Sequence, residues 1–223
     1  METALVIGDT GGIGAAIRAD LEGRGVAVTG LSRARDGFDI TDEASVAEHM
    51  GAVDGGSGGG FDLIFVATGA LSCGGGPEKT MKQFGPEEFI AQTKLNALGP
   101  ALVLKHAWRR IPRDRRSVFA CLSARVGSIG DNGLGGWYSY RTSKAALNSL
   151  IHGASVELAR SHRHAILACL HPGTVATRFT ANYPAHDKVE AYTAAKRLID
   201  VVEGLDVSQT GGFFDYAGRE IPW

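Results

Sequence analysis

A tyrosine and a lysine stand four residues apart in the segment Tyr140-Arg-Thr-Ser-Lys144. On a helix this spacing places both side chains on one face, where their polar ends can meet in a single cleft. A phenol with its ordinary pKa of about 10 is a poor acid-base group at neutral pH. A neighbouring ammonium stabilises the phenolate and lowers that pKa, so the pair would be able to donate and accept a proton. The same spacing is also common on exposed helix surfaces, so the motif needs a second signal.

A glycine-rich loop near the start of the chain is that second signal. Gly8, Gly12 and Gly14 follow the apolar run 4–7 and precede a segment with helical spacing of apolar residues. A turn without side chains can approach a pyrophosphate closely, and the N-terminus of the next helix supplies amide donors and a partial positive charge. The spacing is G-x-x-x-G-x-G, unlike the G-x-G-x-x-G of the longer dehydrogenases. The loop predicts a dinucleotide site, with a plain tight turn as the alternative.

Strands and helices alternate along the whole chain around these two motifs. Short apolar runs that end at glycine or proline are typical of buried parallel strands, and amphipathic segments lie between them. Parallel neighbours need crossover connections, which the helices supply. We therefore predict one α/β domain over residues 1–223 with a doubly wound parallel sheet. The predicted strands are 4–7, 26–31, 61–67, 117–122, 165–170 and 211–216, and the predicted helices are 13–21, 45–50, 86–98, 101–110, 138–160 and 189–202.

Composition argues against several other classes of protein. The formal net charge is -1, so neither nucleic acid nor an anionic membrane surface is an expected partner. Cys73, Cys121 and Cys169 are far apart and have no metal-ligand spacing, so we expect reduced thiols and no metal site. No apolar stretch approaches the length of a membrane span, and no signal-peptide pattern opens the chain, so a cytoplasmic location is expected.

Together the two motifs resemble the short-chain dehydrogenase/reductase family, and the resemblance runs from Leu5 to the C-terminal segment. It implies a Rossmann-like domain that transfers a hydride between a nicotinamide and a carbonyl or alcohol substrate. By this similarity Tyr140 is the catalytic acid-base, and Lys144 holds the nicotinamide ribose and lowers the tyrosine pKa. Asn96 would support a proton relay through water. The segment 136–148 looks closest to the C-factor and sniffer-like carbonyl reductase branch.

The resemblance also assigns residues to the cofactor. The glycine loop would line the phosphates, the segment after the third strand would approach the adenosine, and Pro172-Gly-Thr-Val-Ala-Thr177 would pack on the nicotinamide. The implied cofactor-binding residues are Gly8, Thr10, Gly12, Ile13, Gly14, Ser32, Arg33, Asp39, Thr68, Gly69, Tyr140, Lys144, Pro172, Gly173, Val175 and Thr177.

Cofactor choice depends on the residues that follow the second strand. An acidic side chain there would bind the ribose 2′-hydroxyl and repel a 2′-phosphate. The chain has Ser32 and Arg33 at this point, and no carboxylate before Asp36. A serine can donate a hydrogen bond and an arginine can grip phosphate through its planar fork, which favours NADP over NAD. The alternative is that Arg33 and Arg35 are solvated loop charges.

One expected hydroxyl is missing. The family usually carries two serines at the end of the strand before the catalytic tyrosine, and the second polarises the substrate carbonyl. Here Ser123 takes the first position and Ala124 the second. Ser123 is our preferred replacement and Ser128, in the following loop, is the alternative. If neither reaches the substrate, the loss of one oxyanion donor would cost about 100- to 1000-fold in rate.

A second functional hypothesis is a dinucleotide-binding signalling or sensor protein with little turnover. Ala124 favours it, together with the resemblance to C-factor, which is associated with intercellular signalling. The presence of Tyr140, Lys144 and Asn96 argues against it, because a pure binder has no need of all three. Oxidation of NADPH by a panel of carbonyls, beside a binding titration, separates the two hypotheses.

The expected partners are small molecules and further copies of the chain. The segment 179–188, which holds Phe179 and Tyr183, would cover the substrate. It is too short for a sterol-sized lid, which favours a small or moderately sized carbonyl. The resemblance implies a homodimer or homotetramer assembled through the helices at 101–110 and 140–160.

Overall fold

Six strands form one parallel sheet in the computed structural model, which describes residues 1–55, 59–180 and 187–223. Every neighbouring pair is parallel, so the predicted doubly wound sheet is confirmed. The first strand lies between the second and the third, so the direction in which strands are added reverses there. The strands are β1 Thr3–Ile7, β2 Ala27–Leu31, β3 Leu63–Val66, β4 Ser117–Leu122, β5 Ala165–His171 and β6 Gly212–Asp215, in the spatial order β2-β1-β3-β4-β5-β6.

Helices cover both faces of this sheet. The predicted helices are all present, with ends that differ from the sequence expectation by a few residues. A one-turn helix after β2 is additional, because a four-residue turn has no apolar periodicity to reveal it; Ser32 accepts a hydrogen bond at its start. The helices are α1 Gly12–Gly23, α2 Arg33–Asp36, α3 Glu43–Ala52, α4 Pro86–Thr93, α5 Gly99–Ala107, α6 Tyr138–Leu158 and α7 Ala191–Gly204.

Two apolar cores lie on opposite sides of the sheet, because successive strand residues point to opposite faces. On β5, Leu167 and Cys169 pack with α3, α5 and α6, whereas Ile166 and Leu170 pack with α1 and α7. Both faces of the central strands are therefore apolar, as in parallel sheets covered by helices. The carboxyl ends of all six strands meet at one edge, where loops can gather side chains for a site.

The helical segment predicted at 86–98 does not break at Gly99 and Pro100 as the sequence suggests. A π-helical turn, Lys94–Leu98, joins α4 to α5 instead. Pro100 has no amide hydrogen to bond the carbonyl four residues earlier, and the amide of Gly99 reaches back five residues to Lys94. The wider turn keeps the chain helical while it shifts the register at Asn96. Among the described residues, no helix is long and apolar enough to cross a membrane.

Candidate active site

Helix α6 carries Tyr140 and Lys144 to the carboxyl edge of the sheet, and both side chains are buried. The Lys144 ammonium donates a hydrogen bond to the carbonyl of Leu122, the last residue of β4, at 2.8 Å. A Cβ built on Gly69, just past the end of β3, would lie 3.3 Å from the same Nζ. The amine therefore lies between the ends of β3 and β4. The shared face that the spacing predicts is present.

The pKa of Tyr140 differs from the sequence expectation. Burial raises the pKa of this phenol above its ordinary value of 10, and it lowers the pKa of Lys144 from 10.5 to about 8. The expected lowering of the tyrosine pKa by the ammonium is thus wrong for this structure. The amine is engaged with the Leu122 carbonyl, and the phenol ring is enclosed by Trp137 and Phe179, with ring centroids 6.2 Å and 6.0 Å away. Loss of water around the phenolate is the cause of the raised pKa.

The start of α6 is held by Glu78, a residue that sequence reasoning missed. Its buried carboxylate accepts hydrogen bonds from the amide and the hydroxyl of Ser139, and its carbonyl accepts from the amide of Trp137. Trp137 precedes the helix with a left-handed backbone, φ 54°. A carboxylate in this place satisfies first-turn amides and suits the positive end of the helix. Glu78 comes 61 residues before Ser139, so no local pattern marks it.

Asn96, in the π-helical turn, ties the loop after β3 to α6. Its amide bonds both the N–H and the C=O of Ala70, each at 2.9 Å, and donates to the Ser143 hydroxyl at 3.0 Å. Ser143 in turn donates to the carbonyl of Tyr140 at 2.8 Å. The asparagine is fully buried, so its side chain positions the loop and α6 relative to each other.

The glycine loop forms a cradle that a Cβ would fill. Gly8 has a left-handed φ of 86°, and a Cβ on Gly14 would overlap the Gly8 carbonyl oxygen. Gly11 precedes α1 without a side-chain cap among the described residues, so first-turn amides remain for a phosphate. Thr10 is exposed and Ile13 half-buried beside these amides. The cradle fits a dinucleotide pyrophosphate, as the sequence predicts.

Two segments connect this cradle to the tyrosine and lysine. Thr68 places its methyl 3.0 Å from a Cβ built on Gly8, and the next residue, Gly69, borders Lys144. The Thr68 hydroxyl is buried without a hydrogen-bond partner among the described residues, which leaves it for a ligand.

The second connection comes from the loop after β5. Thr177 lies 2.7 Å from a Cβ built on Gly12, and Phe179 packs on Tyr140. Upstream, Gly173 takes a left-handed φ of 76° and Val175 is buried in a bridge to Val189. Pro172, at the start of this loop, is half-buried. Of the proposed substrate cover at 179–188, residues 181–186, including Tyr183, lie outside the described part of the chain.

The residues after β2 form an ion-pair cluster. The exposed guanidinium of Arg33 binds Asp39 at 2.6 Å, and Asp39 also accepts from the amide and hydroxyl of Thr41. These bonds, the hydroxyl of Thr41 first, lower the pKa of Asp39. Ser32 is buried, and its amide donates to Asp36 at 2.7 Å. The Asp36 carboxylate therefore reaches the end of β2, because the one-turn helix α2 brings it back to the Ser32 amide.

Asp9, inside the glycine loop, is a further member of this cluster that sequence reasoning missed. Its buried carboxylate accepts from Arg18 at 2.8 Å and from Arg35 at 2.7 Å. A side chain on Gly30 of β2 would overlap that carboxylate. Arg35, bound to Asp9 and Asp36, is thus a structured residue rather than a solvated loop charge, whereas Arg33 stays mostly exposed.

Both candidate serines make hydrogen bonds within the chain. The Ser123 hydroxyl donates to Asn148, one turn beyond Lys144 on α6, at 2.7 Å. The Ser128 hydroxyl accepts from the amide of Asp131 at 3.1 Å and so shapes its own loop. Both hydroxyls are buried. The Ser123 proton is therefore used inside the core, whereas Ser128 only accepts in its bond to Asp131.

Comparison with known proteins identifies the family. A family model described as enoyl-(acyl carrier protein) reductase matches residues 26–211. The 1-hydroxy-2-glutathionyl-2-methyl-3-butene dehydrogenase of Rhodococcus sp. (strain AD45) is 30% identical over 240 residues, which cover 100% of both chains. The chain belongs to the short-chain dehydrogenase/reductase family. The members of this family are oxidoreductases, so the chain is an oxidoreductase by its family.

One further curated relative and two solved structures are also similar to the chain. C-signal of Myxococcus xanthus is 36% identical over 132 residues, which cover 58% of this chain and 75% of that protein. The carbonyl reductase Sniffer of D. melanogaster superposes with a TM-score of 0.80 at 19% identity over 100% of both chains. The NADPH-bound carbonyl reductase from chicken fatty liver gives 0.82 at 21% identity, over 100% of this chain and 99% of that one. At these identities the two structures show the shared fold.

Proposed function

We propose that the chain is an NADPH-dependent reductase of carbonyl compounds, able to oxidise the corresponding alcohols in reverse. One observation carries the proposal: the buried Tyr140 and Lys144 pair is joined to the glycine cradle by two segments. Thr68 and Gly69 border the cradle and the lysine, and Thr177 and Phe179 border the cradle and the tyrosine. A dinucleotide with its pyrophosphate at α1 would extend along these segments toward the acid-base pair.

The chain's own residues supply proton transfer and orientation. A bound reduced nicotinamide would supply the hydride to the carbonyl carbon. The Tyr140 hydroxyl is protonated at neutral pH, because burial raises its pKa, and gives its proton to the carbonyl oxygen. Lys144, with a pKa of about 8, is largely charged at neutral pH and can bond the nicotinamide ribose. Phe179 and Trp137 exclude water around the phenol.

NADP(H) is the cofactor that the arginines after β2 favour, because Arg35 pairs with the Asp36 carboxylate and Arg33 remains exposed. Arg33 leaves 79% of its side chain exposed, so its guanidinium can turn from Asp39 to a 2′-phosphate. The chicken carbonyl reductase that shares the fold is itself NADPH-bound. Arg33→Ala should weaken NADPH binding about 10- to 100-fold, the value of a charge-assisted contact, and leave NADH binding unchanged. Equal losses for both cofactors would contradict this choice.

The assay is oxidation of NADPH by aldehydes, ketones and quinones, with the reverse reaction tested on alcohols. The Rhodococcus relative is named as a dehydrogenase of a hydroxylated glutathionyl compound, so glutathione conjugates belong in the panel. Tyr140→Phe should lower kcat about 100- to 10,000-fold with NADPH affinity kept. Tyr192→Phe, at an exposed tyrosine, is the matched control and should match the wild type. A fully active Tyr140→Phe variant would refute the mechanism.

A dinucleotide-binding signalling protein is the second candidate. The similarity to C-signal and the engagement of Ser123 with Asn148 favour it. Its signature is tight NADPH binding with no turnover of any carbonyl or alcohol in the panel. Turnover that depends on Tyr140 would exclude it.

We also propose that the chain assembles as a homodimer or homotetramer through α5 and α6. Leu150 and Val156, on α6, are apolar side chains that the single chain leaves exposed. Light scattering coupled to gel filtration measures the assembly directly. A monomer at assay concentration would refute it.

A further inference from the structure

His171 lies at the carboxyl end of β5, beside the strand that carries the missing hydroxyl. Ser123 continues the ladder between β4 and β5, because its amide donates to the Leu170 carbonyl at 2.8 Å. His171 is therefore the neighbour of the segment Ser123–Ala124 at the sheet edge. Adjacent strands are about 4.8 Å apart, and an imidazole reaches further from its backbone than a serine hydroxyl does.

The pleat of β5 directs His171 to the face that α6 covers. Leu167 and Cys169 belong to the core that contains α6 residues, and His171 continues that alternation. Cys169 is within electrostatic range of Lys144. From Cys169 to His171 the strand rises about 6.6 Å. From Lys144 back to Tyr140 the helix rises about 6 Å toward the same edge. Because Cys169 and Lys144 interact, these two similar rises bring His171 and Tyr140 to about the same height along the strand direction.

The two ring nitrogens of His171 differ. Nδ1 is buried and has no hydrogen-bond partner among the described residues, while the residue as a whole is half-buried. Burial, with a smaller contribution from Arg125, lowers the pKa of His171 to about 4 against the opposing effect of Asp215, so the ring is neutral at physiological pH. Orphaned buried N–H groups are rarer in proteins than under-satisfied acceptors, so we assign the single proton to Nε2 and leave Nδ1 as the unpaired acceptor. No described residue bonds Nε2, so this N–H is left for a ligand.

We propose that the Nε2–H of His171 donates a hydrogen bond to the substrate oxygen and replaces the serine hydroxyl that is absent at Ala124. The inference rests on the proposed reductase function and adds a catalytic residue to it. The donor stabilises the negative charge that develops on the carbonyl oxygen as the hydride arrives, before Tyr140 delivers the proton. A neutral imidazole suits this role because it donates without competing as a proton source.

Three variants test the replacement: His171→Ala, Ala124→Ser, and both together. His171→Ala should lower kcat about 100- to 1000-fold, with substrate KM and NADPH affinity changed by less than about threefold. Ala124→Ser should change the wild type little but raise the activity of His171→Ala about tenfold or more, since it restores a hydroxyl donor. His164→Ala, at an exposed histidine in the turn before β5, is the matched control.

The outcomes separate this inference from the function on which it rests. Wild-type turnover that Tyr140→Phe abolishes and His171→Ala leaves intact would overturn the role of His171 alone. Absence of wild-type turnover on the whole panel would overturn the reductase function, and His171 with it. His171→Gln keeps an N–H donor and should retain partial activity. If its thermal unfolding midpoint matches that of His171→Ala, the difference in activity reports hydrogen-bond donation and not a structural role.

Discussion

Replacing Lys144 by methionine tests the cost of the buried ammonium. Lys144 is 3% exposed, and burial lowers its pKa from 10.5 to about 8. At about 1.36 kcal/mol per pKa unit, the buried charge costs about 3 kcal/mol at neutral pH. The hydrogen bond to the Leu122 carbonyl offsets about 1 kcal/mol of this. We therefore expect Lys144→Met to raise the free energy of unfolding by about 2 kcal/mol near neutral pH and to abolish turnover.

The gain in stability should depend on pH in one direction. Below about pH 8 the lysine is protonated in both the folded and the unfolded chain, so its full cost is present. Between about pH 8 and pH 10.5 the folded chain loses the proton first, the unfolded chain binds more protons, and wild-type stability rises with pH. The advantage of the methionine variant should shrink by about 2 kcal/mol between about pH 7 and pH 9.5.

Urea unfolding followed by tryptophan fluorescence at a series of pH values measures this difference. Lys196→Met is the matched control, because Lys196 is exposed and pairs with Asp200 on its own helix. That control should change stability by less than about 0.5 kcal/mol at any pH. Parallel stability curves for the wild type and Lys144→Met would refute the reasoning, since they would mean that the amine carries no burial cost.

Three smaller effects are expected at Lys144, in the glycine loop and at the start of α6. If the charged amine holds the ribose, kcat/KM for carbonyl reduction should fall as the pH rises through about 8, and a flat profile would argue against this role. Gly14→Ala should lower the free energy of unfolding by about 1 to 3 kcal/mol and weaken NADPH binding about tenfold, because its Cβ would overlap the Gly8 carbonyl. Gly23→Ala lies in open space on the same helix and should raise the free energy of unfolding by up to about 1 kcal/mol. Urea titration measures both changes. Glu78→Gln removes the charge that caps α6 and should cost about 1 to 2 kcal/mol and lower kcat. Glu87→Gln, at the surface, is the control and should change neither stability nor kcat. Steady-state kinetics and urea unfolding measure both variants, and equal effects at Glu78 and Glu87 would contradict the role of Glu78.

The features that the sequence predicts correctly are local ones. The spacing of Tyr140 and Lys144 determines a shared helix face, and the position of Gly8 to Gly14 between a strand and a helix determines a cradle, because both depend on neighbours within one or two turns. Alternation of strands and helices likewise requires a parallel sheet, since crossovers leave no other arrangement. The missing hydroxyl at Ala124 is also visible without any structure.

Tertiary structure decided where the polar atoms point. The Ser123 hydroxyl turns to Asn148, 25 residues away, and Asp9 binds Arg35, 26 residues away. No local spacing encodes such partners, because they meet only when separate elements pack together. The pKa of Tyr140 also depends on tertiary structure. The sequence shows a lysine four residues away, which would lower the pKa of the phenol. Burial raises that pKa instead, and this burial exists only once α6 and its neighbouring loops have packed around the phenol.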